Sequence, residues 1–88
     1  MNGNLAGTET SDPFEARAGL ATIAMDGTFG GGTATIQYYT QDQRWVDLAD
    51  DLNKHIYSAP VVRTLNVERP INLRVSAVGV GNIYFEVR

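Results

Sequence analysis

His55 is the only histidine in a chain that also lacks cysteine. The side chains best suited to nucleophilic relays and metal ligation near neutral pH are therefore almost absent. A serine relay needs a nucleophile, a base and an orienting group within hydrogen-bond reach of one another. Ser11, Ser58 and Ser76 are available, but none lies in a nucleophile-elbow pattern. His55 reads instead as a solvent-facing residue of a polar loop. The densest acidic group is Asp47, Asp50 and Asp51, with Asn53 close by. Its D-x-x-D-D-x-N spacing lacks the glycine and the closing glutamate of a calcium loop, so a solvated cluster is expected. After Gly30-Gly31-Gly32 comes an alternating β pattern, not the Gly-Lys-Ser/Thr and helix that a phosphate loop requires. That run is expected to serve the backbone, through positive φ or close approach between strands. No catalytic, metal-binding or cofactor-binding residue is assigned, and no cofactor is expected.

The aromatic residues carry more information. Parity places Tyr38 and Phe85 on inward strand faces and Tyr39 and Tyr84 on outward ones, with Trp45 and Tyr57 near loop edges. Large side chains with a polar tip anchor protein interfaces or stack on sugars when they face out. Apart from Met1, Leu5 and Phe14 are the only sizeable apolar residues of the first sixteen. Leu5, Phe14, Tyr39, Trp45, Tyr57 and Tyr84 are thus the candidate partner-interface residues. Phe14 has the alternative of plugging the edge of its own domain.

Composition narrows the classes. A chain of 88 residues has room for one domain and is small for a self-sufficient core, with no disulfide to help. Its net charge of −3 and pI near 4.8 argue against nucleic acid, whose phosphates must be neutralised by Lys and Arg. No apolar stretch approaches the roughly 20 residues of a membrane helix, and the first residues lack a signal-peptide pattern. Neither nucleic acid nor membrane is an expected partner.

These residues must be positioned by strands. Residues 1–16 show no period of 2 or 3.6 and read as an extended N-terminal arm, leaving 17–88 as one β domain. Strands are predicted over 18–25, 33–40, 44–48, 61–67, 71–78 and 83–88, with Asp26-Gly27 as a hairpin signal. The 71–78 segment alternates most cleanly, with Ile71, Leu73, Val75 and Ala77 inward. Gly79-Val80-Gly81-Asn82 is expected to turn the chain into a closing hairpin strand with Ile83, Phe85 and Val87 inward. The 49–60 connection is expected to be irregular, with a helical turn through Leu48, Leu52 and Ile56 as the alternative. The fold class is all-β: a small antiparallel sandwich or partly closed barrel of about six strands.

Three segments carry a family resemblance. They are Gly27-Thr28-Phe29-Gly30-Gly31-Gly32-Thr33-Ala34-Thr35-Ile36-Gln37-Tyr38-Tyr39, then Arg44-Trp45-Val46-Asp47-Leu48, then Arg69-Pro70-Ile71-Asn72-Leu73-Arg74-Val75-Ser76. Over about residues 26–88 the chain resembles small β-sandwich virion proteins of tailed bacteriophages, departing from them in the short Gln41-Asp42-Gln43 turn and the acidic 49–60 connection. The resemblance implies a structural part of the virion, and no enzyme is expected because no acid–base constellation meets the roles needed. Its first form is a head decoration (cement) protein on the capsid exterior that bridges subunits of the major capsid (coat) protein. A homo-oligomer is implied, a trimer first, with the 1–16 arm reaching the adjacent coat subunit. A tail, neck or fibre component is the alternative within that class. A glycan-binding adhesion module using Trp45, Tyr39 or Tyr84 is the alternative outside it.

Overall fold

A computed structural model describes residues 2–48, 55–67 and 69–88. Its strands are β1 (Asn2–Thr10), β2 (Phe14–Ala16), β3 (Gly19–Thr28), β4 (Thr33–Tyr39), β5 (Trp45–Asp47), β6 (Ile56–Tyr57), β7 (Val61–Val67) and β8 (Ile71–Val87). The fold is all-β, one antiparallel sheet curled into a half-barrel. Everything is organised on β8. Along one of its edges run β3, opposite 82–87, and β4, opposite 73–78. Along the other run β1, opposite 76–86, and β2, opposite 71–73. Beyond β4 lie β5 and β6, and beyond β3 lies β7.

The inward residues of both halves of β8 fill the core. Leu73, Val75, Ile83 and Phe85 are fully buried there with Ile23 of β3 and Ile36 of β4. This inward set follows the alternation of the sequence, because a strand buried on one face places every second side chain inside.

Three expectations are corrected. Residues 79–82 do not form a hairpin turn. Gly79 takes φ 66°, β1 shifts register in passing this region, and the strand continues, since both halves share β1 as a neighbour. A bulge, not a reversal, is what one left-handed glycine gives when the partner strand runs straight past. The Asp26-Gly27 pair is not a turn either. β3 continues to Thr28, the chain turns at 29–32, and β3 and β4 follow one another along β8 instead of pairing. The glycine run permits this crossing: a Cβ on Gly32 would lie 2.3 Å from the Gly79 carbonyl carbon. Finally, residues 2–10 are a strand and not an arm without regular structure. β1 has a single buried side chain, Leu5, so backbone pairing to β8 holds it where apolar alternation would not.

Candidate functional site

The outward faces of β8, β4 and β5 carry the most organised polar and aromatic cluster. Tyr39 and Trp45 are cross-strand partners, with ring centroids 5.1 Å apart and planes inclined by 52°. Arg74 is the cross-strand partner of Gln37, and its guanidinium carbon lies 4.5 Å from the Trp45 ring centroid. Arg74 Nε donates to Gln37 Oε1 at 2.8 Å, and Gln37 Nε2 donates to Asp47 Oδ1 at 2.9 Å. The chain Arg74–Gln37–Asp47 thus fixes the guanidinium over the indole. A cation held against an aromatic face gains electrostatically from the ring quadrupole. Adjacent antiparallel strands bring these groups together because Gln37, Tyr39, Trp45, Asp47 and Arg74 all share the outward parity.

The six candidate residues separate. Tyr39 and Trp45 meet in this cluster. Tyr84 faces out on the second half of β8, beside Asn4 and Asp26, and does not join them. Leu5 and Tyr57 are buried among the core residues, and Phe14 packs against that core, which is the alternative weighed for it above. Gln37, Asp47 and Arg74 complete the cluster beyond the expected interface residues, and their outward parity is the signal the sequence holds for them.

His55 is buried and not solvent-facing. Its carbonyl accepts from the Ile36 N–H at 3.0 Å and its N–H donates to the Leu48 carbonyl at 3.2 Å, which draws the residue in beside β4. Its Nδ1 lies 2.6 Å from the Tyr57 hydroxyl. Ser11 is buried as well: its hydroxyl accepts from the Val75 N–H at 2.8 Å and its own N–H donates to the Val75 carbonyl at 2.8 Å. Both groups therefore have structural partners. Asp50, Asp51, Asn53 and most of the possible helical turn lie outside the described residues. Among the described residues no three His, Asp or Glu side chains are grouped to hold a metal ion.

An open cleft of about 930 Å³ lies where the end of β4 faces the β7–β8 corner, lined by Tyr38, Leu48, His55, Leu65, Val67 and Ile71, with Gln41, Asp42, Arg69 and Asn72 among its polar residues. Its lining mixes polar and apolar side chains. Comparison with protein-family models, with curated proteins and with solved structures gives no match.

Proposed function

We propose that this protein acts by binding, as a structural virion component of a tailed bacteriophage, in the first instance a capsid decoration protein that bridges coat subunits on the outside of the head. The observation that carries the reading is the Tyr39–Trp45–Arg74 cluster. Tyr, Trp and Arg are the side chains that dominate interface energetics, and they do so best when held rigid before binding. Here Gln37 and Asp47 hold the arginine in place on a sheet face, so little side-chain freedom is left to lose. The phage-like segments at 27–39, 44–48 and 69–76 run through this same cluster, which supports a particle protein as the setting. The glycan-binding alternative needs a flat exposed aromatic platform. The 52° tilt between Tyr39 and Trp45 and the guanidinium over the indole weigh against it.

Co-sedimentation with purified phage shells tests the proposal. The wild-type protein is expected to pellet with shells, and Trp45→Ala or Arg74→Ala is expected to weaken binding by roughly tenfold or more with an unchanged circular dichroism spectrum. A wild-type protein that stays in the supernatant at every shell concentration contradicts the reading. Binding to a glycan array that depends on Trp45 would replace it with the adhesion alternative.

A further inference from the structure

We infer that β7 is a self-pairing edge through which two copies of this chain join into a continuous sheet about a two-fold axis at Thr64. The hydrogen-bond phase of β3 decides which groups of β7 are open. Thr22 and Arg88 exchange both backbone hydrogen bonds, at 2.7 and 3.0 Å, so the backbone groups of Thr22 point toward β8. Alternate residues of a strand point opposite ways, so Ala21, Ile23 and Met25 bond to β7, at Leu65, Arg63 and Val61 in the observed register. The N–H and C=O groups of Val62, Thr64 and Asn66 therefore point away from β3. Among the described residues no strand pairs with that side of β7. The β3–β7 register runs unbroken from Gly19↔Val67 to Met25↔Val61, so the edge is regular over its full length.

The edge is complementary to itself. In an antiparallel pairing centred on Thr64, the open groups of Thr64 meet those of Thr64 in the second copy. Those of Val62 meet those of Asn66, and all seven residues of the strand are used. Shifting the axis to residue 63 would instead set Arg63 against Arg63 of the second copy, a like-charge pair that opposes association. The Thr64 axis puts Arg63 opposite Leu65. It also brings into shared rows the two most exposed large apolar side chains among the described residues. Leu20 and Val62 are 78% and 72% exposed and lie at opposite ends of the β3–β7 face, as partners of Asn66 and Ala24. Across the two-fold they enter one row, Leu20–Asn66 of one copy followed by Val62–Ala24 of the other. A central row of four threonines, Thr22 and Thr64 from each copy, lies between two such rows. The threonine row suits a pleated, half-exposed surface.

The inference concerns the free protein and is independent of the particle reading. Sedimentation velocity over a concentration series tests it. The wild type is expected to be a reversible dimer at high concentration. Thr64→Pro removes only an outward N–H, a change that an edge strand tolerates. It is expected to raise the dimer dissociation constant roughly tenfold or more, because one interchain hydrogen bond is lost from each copy, with the fold retained. Thr64→Lys and Thr64→Glu should each weaken the dimer alone and restore it when mixed, because the two positions lie opposite each other. That pair decides the matter if the proline variant fails to fold. A wild type that is monomeric throughout or trimeric, a Thr64→Pro dimer of unchanged strength, or Lys and Glu variants that do not rescue each other would each overturn the inference.

Discussion

β1 and β7 are both outer strands of the same sheet, yet they treat their open sides in opposite ways. By the same hydrogen-bond phase, Gly3 and Leu5 of β1 bond to β8, and Asn2, Asn4 and Ala6 point their backbone groups outward. One of these outward donors is already taken: the Ala6 N–H donates to the Glu9 carboxylate at 2.7 Å. The strand then shifts register twice, between Ala6 and Gly7 and between Gly7 and Glu9, with Gly7 at φ 67°. A carboxylate cap and a bulged backbone are two of the devices by which proteins prevent edge-to-edge pairing. β7 has neither. Its register is unbroken and its residues, VVRTLNV, are rich in the β-branched types that pair well. Were both of these edges open, β1 of one copy could pair with β7 of the next and give head-to-tail fibres, whereas a blocked β1 and a self-complementary β7 limit association through these two strands to a closed pair.

The largest change expected at either edge comes from the anchor of β1. Leu5 is its single buried side chain, so Leu5→Ala is expected to cost about 3 kcal/mol, the usual range for a leucine truncated in a core, in a urea titration. A loss below about 1 kcal/mol would mean that backbone pairing alone holds the strand. A smaller effect is expected from the cap. Glu9→Ala should cost about 0.5–1 kcal/mol, the worth of one ordinary hydrogen bond. In a Thr64→Pro background it should produce no new self-association, because the two register shifts remain. An oligomer forming through β1 in that double variant would show that the carboxylate, and not the bulge, is the blocking element.

Much of the inner layer was legible from residue alternation. Ile71, Leu73, Val75, Ala77, Ile83, Phe85 and Val87 face inward as expected, because burial on one face writes a period of two into the sequence. The glycine run also behaves as expected, supplying left-handed φ at Gly30 and Gly31 and close approach at Gly32. What failed to show has physical causes. β1 carries no apolar period because its strand character comes from the backbone of β8, sixty or more residues away. A glycine-rich stretch such as 79–82 suits a turn or a bulge equally, and only the shared neighbour β1 makes it a bulge. His55 reads as exposed because Asn53 and Lys54 precede it, whereas its environment is set by Ile36, Leu48 and Tyr57. At the candidate site, the outward parity of Tyr39 and Trp45 was readable. Their contact with each other and with Arg74 depends on which strands adjoin β4. Edge identity is likewise a property of strand order, so the open side of β7 has no local signature.

The contrast between the two edges is tested most directly by residue-resolved amide hydrogen exchange at low and high protein concentration. The amides of Val62, Thr64 and Asn66 are expected to exchange freely in dilute solution and to become protected as concentration rises, while those of Asn2 and Asn4 keep the same rates. Protection that appears at Asn2 and Asn4, or rates at 62, 64 and 66 that do not depend on concentration, would contradict it.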